Sequence, residues 1–287
     1  MSEAIIRQGR VPLLQRRYRP RQRRLPVIRR WPVWVVSASR VGVLIAILAL
    51  WEAGVAAGLI NGFFWSSPSK IAASFWIYLS QGDALTDIFF TFRATLIGFV
   101  LGTATGSILG LSFWWSPNYA AVVQPFLVAF ESTPKLALAP LIILIFGMGG
   151  ISKVAIAVAL TVVVSCLTTF SGVRAIDPDG EKLFYSLGAT RWQVFCKFVI
   201  PAVLPWAISV LRINIGLALT GAVVGEFIAS EHGLGRTILY AGETYDIALV
   251  WSGVLLLSAL SFLMYVAVSW IERMLIKGVT HGITAGG

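Results

Sequence analysis

Long apolar runs, broken by short polar stretches, set the pattern of this chain. A hydrocarbon layer roughly 30 Å thick requires about 20 apolar residues in a helix, and several runs reach that length. The first covers residues 34–59, with Arg40 and Glu52 as its only charges. The second, about 88–113, carries Gly98, Gly102, Gly106 and Gly110 in strict four-residue steps, with Arg93 near its start. Overlapping GxxxG units put a smooth stripe on one helix face, so these glycines are expected to pack against another helix. The third stretch, 118–150, is interrupted by Pro125, Pro134 and Pro140 and by Glu131, Ser132, Thr133 and Lys135. A backbone broken at membrane depth belongs where it is buried in protein or lines a watery cavity. A fourth run covers about 152–172. A fifth, about 202–228, contains Arg212, Asn214, Thr220 and Glu226, and a sixth, about 247–271, closes on Glu272, Arg273 and Lys277. The pattern predicts an all-α membrane protein with six transmembrane helices.

Between the runs, residues 174–201 form the longest polar stretch in the second half of the chain. Asp177 is a good N-cap, Pro178 suits the first helical position, and Asp179 and Glu181 put negative charge in the first turn. That helix should end at Gly188, and Thr190 with Gln193 should form a capping box opening a second helix. Leu183, Phe184 and Leu187, then Trp192, Phe195 and Val199, give each helix an apolar face. Residues 71–83 read as an amphipathic segment on the membrane surface, and 229–246 as an external loop.

The net charge of +10 changes meaning once located. Eleven of the 23 Lys and Arg residues precede residue 41, against one acid, Glu3, so the remainder is balanced at 12 and 12. Positive charge beside a first span places the N-terminus in the cytoplasm and attracts anionic lipid headgroups, which makes membrane lipid, not nucleic acid, its partner. Trp31 and Trp34 are natural interface anchors. Six spans then put both termini and residues 174–201 in the cytoplasm. The two cysteines, Cys166 and Cys196, imply no disulfide framework. The dipeptide Gly-Lys is absent, so there is no P-loop, and no metal-ligand or nucleophile motif occurs. A transmembrane protein with a shaped cytoplasmic platform and no engine of its own remains.

The platform resembles the cytoplasmic loop of ATP-binding-cassette importer permeases, in which Glu-Ala-Ala, a glycine and an Ile-x-Leu-Pro ending form coupling helices. The stretches YSLGATRWQVFCKFVIPAVLPWAISVLRINIGLAL, PKLALAPLIILIFGMG and VVGEFIASEHGLG are similar to the nitrate/sulfonate/taurine-type permeases, and the resemblance runs from about residue 67 to 276. Gly188 and Pro201 keep the loop's spacing. The Glu-Ala-Ala positions are Lys182, Leu183 and Phe184, with the acid displaced to Glu181, and Phe198 and Ile200 replace the later Ile and Leu.

The resemblance implies a type I importer permease fold in a bacterial inner membrane, divided into a basic tail (1–32), a first helix and link (33–62), a permease core (63–277) and a short C-terminal tail (278–287). It implies a non-catalytic subunit, with ATP and Mg bound by a separate ATPase, an external solute-binding protein, and a second permease copy as a homodimer. Coupling to the ATPase would fall to Glu181, Leu183, Phe184, Leu187, Gly188, Ala189, Thr190, Arg191 and Pro201. Glu131, Ser132, Thr133, Pro134, Arg212, Asn214 and Glu226 would line the path of a small anion such as a nitrate, sulfonate or taurine. Arg212 and Glu226 are also candidates for a helix-to-helix pair. The competing expectation is a proton-coupled secondary transporter using Glu131 or Glu226.

Overall fold

The computed structural model describes the backbone of residues 32–284 and side chains through residue 276; the basic tail and Trp31 lie outside the described residues. Helices make up the fold, with no strand among the described residues. In chain order they are α1 (Val33–Ala56), α2 (Gly62–Trp65), α3 (Pro68–Gln81), α4 (Ala84–Ser112), α5 (Pro117–Ser132), α6 (Ala139–Phe146), α7 (Gly150–Arg174), α8 (Pro178–Ser186), α9 (Arg191–Val194), α10 (Ile200–Ser209), α11 (Leu211–Ile228), α12 (Leu234–Glu243) and α13 (Ile247–Thr284). The chain divides into two compact units at Ile47 and Leu48, so α1 crosses the boundary, and Leu48 onward carries every other element.

Among the described residues, six segments are long and apolar enough to cross a membrane: Val33–Ala56, Ala84–Trp115, Gly150–Arg174, Arg191–Ser209, Leu211–Ile228 and Ile247–Ile276. The broken third run is real, since α5 and the segment Lys135–Phe146 meet at 82°. The fifth run is not one helix from residue 202. It is cut at Val210, where the Ser209 hydroxyl donates to the Trp206 carbonyl (2.8 Å), the acceptor a regular helix would offer to the Val210 N–H.

The glycine stripe sets the packing. A Cβ on Gly98 would collide with the Ala157 side chain, one on Gly102 with Thr161, and one on Gly106 with the Val162 carbonyl. At Gly110 it would lie 2.5 Å from the Cys166 carbonyl. Every glycine of the stripe therefore faces α7, and the two backbones approach as GxxxG helices do. Helix α11 closes on the same pair: a Cβ at Gly221 would sit 2.7 Å from the Ala157 Cα. Asn214, with 0% exposure, donates through Nδ2 to the Thr103 hydroxyl of α4 (2.8 Å) and to the Ser165 hydroxyl of α7. Each such interhelical bond is worth about 0.6 to 1.7 kcal/mol in a membrane.

Two polar segments fold more tightly than their sequences suggest. Residues 71–83 do not form a free surface helix; Ile71 and Tyr78, one face of α3, are buried, and the Ser252 hydroxyl of α13 donates to the Ile71 carbonyl (3.4 Å). Residues 229–246 are not a plain loop, because Leu234, Thr237 and Ala241 recur at helical spacing and bury one face of α12.

Replacing Gly106 by Ala should lower the melting temperature of the detergent-solubilised protein, since a backbone carbonyl cannot move aside cheaply; overpacking of this kind costs about 1–3 kcal/mol. Gly216 on α11, where a Cβ would meet nothing within 4 Å, is the control. Its alanine variant should melt as the parent does or higher.

Candidate functional site

The helices α4 and α7 run between two polar ends. At one end is the platform, residues 174–201. The structure has the Asp177 cap, whose side chain accepts from the Asp179 N–H (3.0 Å), and the Thr190–Gln193 capping box. Gly188 is left-handed (φ +81°), so the chain reverses there at no steric cost. A π-type turn, Phe195–Val199, follows α9. In a regular helix the Pro201 ring would press on the Lys197 carbonyl, and the wider turn relieves that contact.

What holds the platform is aromatic. Val194, Val199 and Val203 are buried beneath Phe184, Phe198, Phe195 and Trp114. Arg191 donates to the Trp115 carbonyl, and its guanidinium lies 5.4 and 5.2 Å from the Trp114 and Trp115 ring centroids. These tryptophans form the turn that ends α4, so Arg191 fastens the platform to α4. The expected apolar face is split: Phe184 turns inward onto Phe198 (ring centroids 5.2 Å), whereas Leu183 and Leu187 are 57% and 77% exposed. The reason is that Gly180 leaves room for the Phe198 ring, which a Cβ there would meet at 2.6 Å. Trp192 is also exposed and stacks on Trp115. Glu181 and Ala189 are partly buried, while Lys182 sits in solvent paired with Asp179 (2.8 Å).

The opposite end is pinned by two buried carboxylates. Asp87 of α4 accepts from the Tyr78 hydroxyl (2.6 Å), the Thr237 hydroxyl (2.7 Å) and the Gly233 N–H (2.7 Å). Glu226 of α11, 2% exposed, accepts from the Thr91 hydroxyl (2.8 Å) and the Gly235 N–H (2.8 Å). The Thr91 oxygen in turn accepts from the Leu234 N–H (3.0 Å). The turn into α12 is thereby nailed to α4 and α11. Gly233 has φ +121°, and a Cβ there would strike the Glu226 carboxyl, so this position demands glycine. Burial, and then the Asp87 carboxylate, push the Tyr78 phenol up, which keeps it a donor.

The residues expected to line a path take separate sets of partners. Glu131 pairs with Lys135 (2.8 Å) across the break after α5, where the Ser132 and Thr133 hydroxyls take up the Val128 and Ala129 carbonyls and Pro134 stays exposed. Asn214 is inside the helix packing. Arg212 does not pair with Glu226; it pairs with Glu272 of α13. Fourteen residues along one helical run separate Arg212 from Glu226, about 21 Å, which no side chain spans. Sequence reasoning missed Tyr78, Asp87, Thr91, Lys153 and Thr237. The Gly-Leu-Gly spacing at 233–235 was the available signal of a close approach. No group of three or more His, Cys, Asp or Glu able to hold a metal occurs among the described residues.

A model of the family described as binding-protein-dependent transport system inner membrane component matches residues 98–279. The chain belongs to that family. It is an ABC importer permease by similarity to relatives that include the riboflavin transport system permease RibX of Chloroflexus aurantiacus, 33% identical over 86% of this chain and 91% of the relative. The formylaminopyrimidine transport permease ThiX of Halalkalibacterium halodurans is 32% identical, covering 80% and 91%. The taurine permease TauC of Escherichia coli is 26% identical, covering 86% and 91%. The fold matches solved importers. The MetNI methionine ABC transporter aligns with TM-score 0.55 at 19% identity, over 69% of this chain and 96% of its own. An alginate ABC transporter aligns with TM-score 0.57 at 16% identity, over 84% and 96%. The permease is therefore all-helical with the type I importer fold.

Substituting Asn for Asp87 should weaken the far-end turn of the permease while leaving its helix content intact. Losing the charge from a carboxylate that accepts three hydrogen bonds costs about 1–3 kcal/mol. The checks are the thermal melt and far-ultraviolet circular dichroism. Trypsin cutting at Arg236, now beside a loosened turn, should accelerate.

Proposed function

We propose that this chain is the membrane subunit of an ATP-driven, binding-protein-dependent importer, and that α8 and α9 form the surface docked by a separate ATPase. The exposed Leu183, Leu187 and Trp192, presented by a capped and aromatically clamped helix pair, support this most directly. Solvated leucines on a rigid platform are a contact surface awaiting a partner. ATP and Mg belong to that ATPase, and this chain is non-catalytic. A second permease copy completes the translocation path, an external solute-binding protein delivers the solute, and both termini lie on the ATPase side. Movement of the platform passes through Arg191 and the Trp114–Trp115 turn into α4, and along α4 and α7 to the far end, an alternating-access arrangement driven from the cytoplasm.

The transported solute is small and polar. The resemblance to nitrate, sulfonate and taurine permeases favours an anionic group, and the names of the relatives add riboflavin and formylaminopyrimidine as neighbouring substrate types. The proton-coupled reading has no support, because Glu131 is tied to Lys135 and Glu226 to Thr91 and Gly235.

The test is reconstitution with the ATPase. Gly188→Val forces a β-branched residue into the left-handed region, a strain of about 1–3 kcal/mol, and should leave ATP hydrolysis running while transport falls. Leu187→Asp should abolish co-purification of the ATPase. Lys182→Ala, which removes only a solvated pair, should be mild. A severe Lys182→Ala defect with a silent Gly188→Val would overturn this docking surface.

A further inference from the structure

Just ahead of Gly98, a groove of about 360 Å³ lies between Phe90, Arg93 and Ile97 of α4 and Gly150, Ile151 and Val154 of α7. Arg93 is the only charged residue lining it. The rest is apolar, and Phe90, Ile97 and Ile151 are 41%, 36% and 67% exposed. Arg93 is exposed too, and its guanidinium has no ion pair or hydrogen bond among the described residues. The other charges of this region, Lys153, Glu226 and Glu231, line the adjoining cavity. Phe90, whose ring stacks on His232 (centroids 4.9 Å), is a wall common to both. Glu226 accepts from Thr91 and Gly235, and Lys153 donates to the Met148 and Gly149 carbonyls. Neither these two nor Glu231 forms an ion pair with Arg93.

Depth selects the occupant. The span Ala84–Trp115 has 32 residues, about 48 Å of helix against a hydrocarbon layer of about 30 Å. Centred, it overhangs by roughly 9 Å at each end. Arg93 is nine residues in from Ala84, about 13 Å along the axis, and so about 4–5 Å below the hydrocarbon edge. Helix α7 has 25 residues, about 37 Å, and overhangs by only about 4 Å, which puts Gly150 and Ile151 at the same edge. The two helices agree. An unpaired guanidinium in hydrocarbon is costly, and an arginine this close to the edge extends toward the headgroups, where phosphates lie. Its fork of N–H donors fits phosphate oxygens.

We propose that this groove is a phospholipid site, with the lipid's phosphate on Arg93 and an acyl chain along Ile97, Ile151 and Val154. The phosphodiester supplies the one negative charge that Arg93 lacks. A free phosphate would do the same but leave the exposed apolar flanks uncovered. The lipid lies where the α4–α7 contact begins, at the end remote from the platform. It is separate from the headgroup attraction of the basic tail, and it does not depend on ATPase docking.

The experiment is native mass spectrometry of the purified chain, delipidated and then titrated with phosphatidylglycerol. Ammonium acetate at about 1 M, where the Debye length is about 3 Å, screens the tail's arginines, whereas a pair at the hydrocarbon edge is screened much less. One retained phosphatidylglycerol per permease is expected. Diacylglycerol, which has the acyl chains but no phosphate, should bind about tenfold or more weakly, the loss expected for a charged hydrogen bond. Arg93→Gln should bring phosphatidylglycerol down to that level. Gly150→Leu, at a position where a Cβ meets nothing within 4 Å, should fill the groove and weaken both lipids. Arg236→Gln, which removes an exposed cation of the same end, should bind as the parent does. A parent that holds phosphatidylglycerol no better than diacylglycerol, an unchanged affinity in Arg93→Gln or Gly150→Leu, or an equal loss in Arg236→Gln would overturn the assignment. So would displacement of the lipid by inorganic phosphate. A disulfide joining two copies of an Arg93→Cys, Cys196→Ser chain in membranes would also overturn it, by placing a second permease on the groove.

Discussion

The contact between α4 and α7 is what the rest of the molecule depends on. Four glycines in one stripe let two backbones approach until a single added methyl would overlap a carbonyl or a side chain. In a membrane the lipid tails are as apolar as the side chains, so close packing and interhelical hydrogen bonds take over from hydrophobic burial. Helix α11 uses both: Gly221 lies against Ala157, and Asn214 reaches Thr103 and Ser165. A rigid three-helix unit results.

That unit gives the two polar ends a fixed separation. The platform is joined to α4 by Arg191 on Trp114 and Trp115, and the far turn is joined to α4 and α11 by Asp87 and Glu226. The platform joint adds the Arg191 cation to aromatic packing of Trp114 and Trp115 on Phe195 and Trp192. A guanidinium on indole faces and carboxylates on backbone N–H groups are directional contacts, which fix orientation as well as position. The broken α5–α6 segment is held differently. Its bend is closed by local bonds of Lys135, Ser132 and Thr133, and its two arms pack on α7 through apolar side chains, Ala120 with Cys166 and Phe170 and Ala139 and Ile143 with Ile156.

How much was legible in the chain follows from how local each determinant is. The glycine stripe, the Asp177 cap and the Thr190–Gln193 box depend on residues within one or two turns, and their patterns survive translation into structure. The division of the fifth run at Val210 is a single-residue interruption between two apolar helices, which apolar spacing does not record. The Asp87 cluster joins residues 78, 87, 233 and 237. No spacing rule connects positions about 150 apart. Arg212 finding Glu272 was legible in part: helical rise alone puts Glu226 about 21 Å away, whereas the choice of Glu272 depends on the packing of α13. Phe184 looked outward because its spacing matched Leu183 and Leu187, and a single missing Cβ at Gly180 turned it in.

The claim that the three-helix unit extends into the far turn is tested most directly by hydrogen–deuterium exchange of the permease in nanodiscs. If the two carboxylates pin the turn, the Gly233, Leu234 and Gly235 amides exchange as slowly as those of α4 and α7 along the glycine stripe. Exchange of those three amides within seconds, at the rate of an open loop, would contradict it.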